Sequence, residues 1–211
     1  MFDTMEVLDF YFSPGSRYSY LAMCRLPEIE ARFNLEFDWI PVSGPRIRAL
    51  RGVDPFSGKP VSEQYDWGYR RRDAEAWAAY YGVPYQEPRD VHFDGDLLAR
   101  AATVAGLLGS KKDYAISLVR EVYGHGSWPI EPHLCIQVAA DTGLDVGEFG
   151  ARLRGPECRE MVEKRCAQAV ERGVFGVPTF FVGQQLFWGN DRLVLVEHAL
   201  CQTGADRTDD P

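Results

Sequence analysis

The chain has 211 residues, a formal net charge of −8 and a pI near 5.1. An acidic surface excludes nucleic acid as the main partner, because phosphate neutralisation needs a basic face, and no apolar run approaches the ~20 residues that a membrane span requires. With 45% hydrophobic and 26% charged residues, the composition is that of a globular domain, large enough to bury roughly 70% of its unfolded surface without disulfide staples.

Residues 1–6 carry Asp3 and Glu6 and no basic stretch, so they do not read as a signal peptide, and a cytoplasmic location is expected. Cys24, Cys135, Cys158, Cys166 and Cys201 form no C-x-x-C pair and read as reduced thiols. His92, His125, His133 and His198 are scattered, without ligand spacing to these cysteines, and no metal is expected.

Residues 7–12 (VLDFYF) form a run of strand formers. Ser13-Pro14-Gly15-Ser16 is a turn that opens a helix. Apolar residues recur at helical spacing over 18–33, and Pro27 inside that stretch should kink or split it. Residues 35–42 (LEFDWIPV) alternate as a second strand, and a β-α-β start implies a parallel pair. Helical patterns follow over 69–81, 96–108, 112–123, 132–142 and 156–172, punctuated by Gly and Pro. Strands over 179–182 and 186–188 flank Gly183-Gln184-Gln185 as a hairpin, and a last helix covers about 192–203 before a small, charged, frayed tail from 204 to 211. The order β-α-β, helical block, β-β-α is that of an α/β thioredoxin-like fold, with residues 1–44 and 172–211 as the thioredoxin-like domain and 45–171 as an all-helical insertion domain.

Three motifs carry chemistry. Ser16 and Ser19 have C-x-x-C spacing but bear hydroxyls. At a helix N-terminus, free N–H groups stabilise an anion, so Ser16 is either a plain N-cap or a donor to a bound thiolate. In Gly176-Val177-Pro178-Thr179-Phe180, the proline either opens an edge strand in trans or follows a cis bond that turns the Val177 amide outward. In Trp188-Gly189-Asn190-Asp191-Arg192-Leu193, Asp191 either caps the last helix or receives the polar end of a ligand. Arg70, Arg71 and Arg72 read as a solvated helix face that would also suit a carboxylate. Trp67, Trp77, Trp128 and Trp188 are more often core than pocket.

Taken together, these blocks resemble the 2-hydroxychromene-2-carboxylate isomerases, which are related to kappa-class glutathione transferases within the DsbA-like thioredoxin superfamily. The matching residues are Asp9-Phe10-Tyr11-Phe12, Ser16, Tyr18-Ser19-Tyr20-Leu21-Ala22, Gly176 to Phe180, Trp188-Gly189 and Asp191-Arg192-Leu193. Tyr69, Asp73 and Trp77 before Gly82-Val83-Pro84 match more weakly. The resemblance implies glutathione as cofactor, with Ser16 hydrogen-bonding its sulfur, Pro178 cis and Val177 pairing with its backbone. Trp188, Asp191 and Arg192 would complete that site, with the last two at the γ-glutamyl end. It implies that the thiolate adds reversibly to an unsaturated aromatic 2-oxo acid, giving a cis-trans isomerisation without net use of glutathione. It also implies a small-molecule substrate near Arg17, Tyr18 and Trp128, with Trp128 in a loop that closes over the site, a role in aromatic catabolism, and a homodimer.

The chain departs from the family pattern at Ser13, Pro14, Arg17, Asp66 and Asp94-Gly95-Asp96, positions that resemble those lining the pocket. Arg17 either holds an anionic substrate or is a solvated first-turn residue. Two rival readings stay open: a kappa-like glutathione transferase or peroxidase, and a non-catalytic thioredoxin-fold module that binds an extended peptide at its proline edge. Disulfide oxidoreduction is disfavoured, because neither position 16 nor position 19 is a cysteine.

Overall fold

The computed structural model of the chain describes residues 6–52, 67–87 and 93–202. Residues 1–5, Asp66, His92, the side chain of Trp67 and the tail 204–211, on which some expectations rest, lie outside the described residues. Strand β1 (Glu6–Phe12) pairs in parallel with β2 (Leu35–Pro41) along its length, from Glu6 opposite Leu35 to Phe12 opposite Pro41. Strand β3 (Thr179–Val182) runs antiparallel to β1, and β4 (Gln185–Trp188) antiparallel to β3, so the sheet order is β2-β1-β3-β4. Gly183 sits in the β3–β4 turn at φ 56°, a conformation that suits a residue without Cβ.

Between β1 and β2, α1 (Arg17–Met23) and α2 (Leu26–Phe33) are separate helices. Pro27 occupies the first turn of α2, where a missing N–H costs nothing. The split expected at that proline is therefore a fresh helix start. The rest of the helices between β2 and β3 run in order: α3 (Gly44–Arg51), α4 (Trp67–Tyr81), α5 (Gly95–Leu107), α6 (Lys111–Val119), α7 (Pro132–Asp141), α8 (Val146–Arg154) and α9 (Pro156–Glu171). A π turn, Arg120–Gly124, continues α6. The 3₁₀ turn Asn190–Arg192 leads into α10 (Leu193–Gln202).

Two of these helices, α3 and α8, go beyond the sequence reading. Both start on side-chain caps: Ser43 Oγ accepts the Arg46 N–H at 3.4 Å, and Asp145 Oδ1 accepts the Glu148 N–H at 2.6 Å. Asp94 likewise caps α5 by accepting from Asp96 N–H at 2.9 Å. Asp96 then ties α5 to α3 through Arg46 at 2.6 Å and through the Ser43 hydroxyl.

Each face of the sheet buries its own set of side chains, as the period of two dictates. On one face Phe10 stacks on Phe12 at 5.3 Å and on Phe180 at 5.0 Å, with Trp39 edge-on at 5.1 Å. That cluster continues into α1, α5, α6 and α7 through Leu21, Leu98, Tyr114 and Cys135. On the other face Tyr11 and Phe181 pack against Val162, Cys166 and Ala169 of α9. Cys135, Cys158 and Cys166 are buried. No helix among the described residues is long and apolar enough to cross a membrane.

Candidate active site

The end of β1 turns into α1 through Ser13 to Ser16. The Ser16 N–H donates to the Ser13 carbonyl at 2.9 Å, and the Ser16 carbonyl accepts the Tyr20 N–H at 3.1 Å. Ser16 Oγ accepts the Ser19 N–H at 3.3 Å and donates to the Val177 carbonyl at 3.5 Å. The serine is thus the N-cap of α1, and its hydroxyl also faces the turn before β3. Ser19 is fully buried and turned inward, its Oγ accepting the Ser13 N–H at 3.3 Å. The two hydroxyls with C-x-x-C spacing therefore have different surroundings. Gly15 is held from above: the Tyr123 hydroxyl donates to its carbonyl at 2.7 Å, and a Cβ there would collide with the Phe93 ring.

The Val177–Pro178 peptide bond is cis, as the resemblance implies, and so is Trp128–Pro129. The Val177 N–H has no acceptor among the described residues. The Pro178 carbonyl accepts the Gly189 N–H at 3.0 Å, and the Thr179 hydroxyl donates to the Gly176 carbonyl at 2.8 Å. The Trp188 indole lies against Gly176, where any Cβ would meet it, and packs on Phe175 at 4.9 Å. Gly189 has φ 115°, and a side chain there would also strike the Asp191 carboxylate. Asp191 and Arg192 pair with each other at 2.6 Å and are about half exposed. Asn190 beside them is buried, and its Nδ2 has no acceptor among the described residues.

The fold thus brings Ser16 beside Val177 and Pro178, and the 3₁₀ turn bearing Asp191 and Arg192 packs against α1. Arg17 goes elsewhere. It is only 4% exposed and pairs with Glu87 at 2.9 Å, whose side chain is 1% exposed. The reading of Arg17 as a solvated first-turn residue does not hold. Glu87 also accepts the Tyr85 hydroxyl at 2.9 Å. The rings of Tyr20, Tyr85 and Tyr123 stack on one another, with centroids 6.0 to 6.4 Å apart. Tyr18 donates to Asp73 at 2.8 Å, and the Arg70 guanidinium lies 5.8 Å from the Tyr18 ring centroid. Burial pushes the Tyr18 hydroxyl well above the ordinary phenol range, and the Asp73 bond adds to it. Burial also raises Tyr85 and Tyr123, and the Glu87 charge raises both further. Trp128 packs at 5.7 Å on Phe93, the ring that lies against Gly15, and its buried Nε1 has no acceptor among the described residues.

Glu87, Tyr85 and Tyr123 are the residues that sequence reasoning missed. The π turn that carries Tyr123 leaves no mark in an apolar pattern. Glu87, in turn, meets Arg17 only through the tertiary fold.

The DSBA-like thioredoxin domain matches residues 7–201. The 2-hydroxychromene-2-carboxylate isomerase of Sphingobium xenophagum is 32% identical over 199 residues, which is 92% of this chain and 98% of that protein. The chain belongs to the 2-hydroxychromene-2-carboxylate isomerase family. A second 2-hydroxychromene-2-carboxylate isomerase, from Pseudomonas putida, is 30% identical over 204 residues, covering 95% of this chain and 98% of that protein. A solved structure of a 2-hydroxychromene-2-carboxylate isomerase superposes with a TM-score of 0.83 at 28% identity, covering 96% of this chain and 100% of that chain. The fold is thus the DsbA-like thioredoxin fold, and the family is one of isomerases acting on small molecules.

Proposed function

We propose that the chain is a glutathione-dependent cis-trans isomerase of an unsaturated aromatic 2-oxo acid, with Ser16 at the sulfur. The observation that carries this reading is the convergence of the Ser16 hydroxyl, at the start of α1, on the edge of Val177, whose N–H has no acceptor among the described residues. The Ser16–Val177 bond, at 3.5 Å, is at the limit of hydrogen-bond length, so the hydroxyl can be given up to a stronger acceptor. Glutathione fits this donor set: it carries an extended peptide backbone for Val177, a thiol for Ser16 and charged ends for the Asp191-Arg192 turn. When bound it would supply the nucleophile, a thiolate.

The chain's own residues divide the work. Ser16 donates to the sulfur, and the first-turn amides of α1 place partial positive charge beside it. The Val177 N–H and carbonyl hold an extended ligand backbone as a neighbouring strand would. Asp191 and Arg192 take the γ-glutamyl end. Phe93 and Trp128 cover the aromatic substrate and exclude water. The cleft between the thioredoxin-like part, residues 1–44 and 172–211, and the helical part, 45–171, is read as the substrate site, since ligands favour such junctions.

A ligand that binds only the native state raises its stability, by about 2.7 kcal/mol at a hundredfold excess over Kd. For a chain of this size that is a rise in Tm of roughly 5–10 °C. Reduced glutathione should give that shift together with a thiolate absorbance near neutral pH. S-methylglutathione, which cannot ionise at sulfur, should stabilise less. No thermal shift at millimolar glutathione together with no thiolate signal overturns the reading.

A further inference from the structure

The face of the sheet opposite the Phe10 cluster carries a cavity of about 170 Å³ at its β2 edge, under α9. That is several times the ~30 Å³ share of one water. Arg165 of α9 reaches into it together with Lys111, Asp38, Tyr11 and Gln168. Ser16, Val177 and the 3₁₀ turn Asn190–Arg192 take no part in its lining.

The guanidinium of Arg165 is anchored in an unusual way. Its Nη1 donates to the Thr103 hydroxyl at 2.8 Å and to the Pro41 carbonyl at 3.3 Å. Its Nε and Nη2 have no partner among the described residues, and no carboxylate among them lies within ion-pair distance. Asp38, the acid that reaches it electrostatically, is held by Lys111 at 2.6 Å. The Tyr11 oxygen accepts from Arg172 Nη1 at 2.8 Å, while its own proton has no acceptor among the described residues. The charged lining is therefore two cations and one anion, with two guanidinium donors and one hydroxyl proton unspent.

We propose that this cavity is a second binding site, for a small oxyanion such as inorganic phosphate or a short carboxylate, taken by the Nε and Nη2 edge of Arg165 with the Tyr11 hydroxyl as a further donor. The guanidinium edge is a fork of two parallel N–H groups that matches two oxygens of such an anion. Fixing Nη1 from behind orients that edge before the anion arrives, which lowers the cost of binding. Burial acts against the charge of Arg165, and an anion at the open edge would offset that penalty. The site stands independently of the glutathione reading.

The test titrates the full chain with inorganic phosphate, with acetate and with chloride at matched ionic strength. It follows Tm and the Arg165 Nε–H resonance. At a hundredfold excess over Kd, an oxyanion should raise Tm by roughly 5–10 °C and shift that resonance, while chloride does neither. A response to phosphate alone, or to acetate alone, assigns the source. Arg165→Gln could disturb the Pro41 and Thr103 anchors, so the decisive variant is Gln168→Glu. This exposed position can take a carboxylate at the cavity mouth without repacking the core. Gln168→Glu should abolish both responses, and Ser16→Ala should leave them intact. An equal response to chloride, or an undiminished response in Gln168→Glu, overturns the proposal and leaves a solvent-filled cleft.

Discussion

At the scale of the residue, Ser16 holds the start of α1 by accepting from Ser19 N–H and also faces Val177. Its two roles can be separated by what each would lose. Removing an N-cap hydroxyl costs about 1 kcal/mol of stability. Removing one donor to a developing anion costs roughly 2.7–4 kcal/mol of transition-state stabilisation in a well-formed site, and less where the charge is spread over sulfur. Ser16→Ala should therefore lower kcat by one to two orders of magnitude while glutathione affinity and Tm change little. A variant that isomerises as fast as the parent would leave Ser16 a cap only. Asp191 can be tested by affinity alone. It is half exposed and bonded to Arg192, so Asp191→Ala should keep the fold. It should weaken glutathione binding by about 1.5–3 kcal/mol, the usual loss for a charged hydrogen-bond partner; unchanged affinity by calorimetry would place the ligand's end elsewhere.

At the scale of the element, α1 is locked by what lies beneath it. Arg17 follows the cap directly, and its pair with Glu87 is almost wholly enclosed. Breaking a buried pair by removing one partner costs about 3–5 kcal/mol, whereas replacing both by apolar groups of similar volume is often neutral. Glu87→Gln should thus lower the free energy of unfolding by a few kcal/mol, measured in urea, and the double variant Arg17→Met with Glu87→Leu should recover most of it. If the single change costs nothing, water reaches the pair. This arrangement also marks the limit of the sequence. The strands were legible because residues 7–12 are a run of strand formers and residues 35–42 alternate with period two, and the break between α1 and α2 because Pro27 cannot sit mid-helix. Val146–Arg154 was not legible as α8, since Gly147 and Gly150 dilute its helical pattern. Ser16, Val177 and Asp191 were legible through their motifs, each with a local signature at a strand or helix end. Arg17 was visible as a residue but not as half of a pair. Glu87 lies 70 positions away, in Val83-Pro84-Tyr85-Gln86-Glu87, and no period links the two.

At the scale of the whole molecule, the buried tyrosines set a pH limit. Tyr18, Tyr20, Tyr85 and Tyr123 all have hydroxyls raised above the ordinary phenol value of 10.0, in each case chiefly by burial. Asp73 adds to the effect at Tyr18, Cys24 at Tyr20, and Glu87 at Tyr85 and Tyr123. A raised folded-state pKa means that the unfolded chain releases the proton first as pH rises. Below pH ~10 both states hold it, and the contribution to stability is fully present. Above that, the unfolded state binds fewer protons and stability falls by roughly 1.4 kcal/mol per pH unit for each such tyrosine. Tyr11, Tyr81 and Tyr114 are raised chiefly by burial as well, and the seven together give a slope on the order of 10 kcal/mol per pH unit, enough to consume the ~5–15 kcal/mol of a typical domain within one or two units. Urea unfolding followed from pH ~8 to ~11 should show a first decline through the thiol range, where burial raises Cys24, Cys135, Cys158 and Cys166 as well, and then this steeper one. The tyrosinate absorbance of these residues should rise together with loss of helical circular dichroism. Tyr85→Phe should flatten the slope by about one seventh, because it removes one of the seven protons. A tyrosinate signal that is lost in Tyr85→Phe yet titrates near pH ~10 with the helices intact would mean that the Tyr20, Tyr85 and Tyr123 stack is open to water. The support it gives to Gly15, through the Tyr123 hydroxyl, would then be far looser than the 2.7 Å bond indicates.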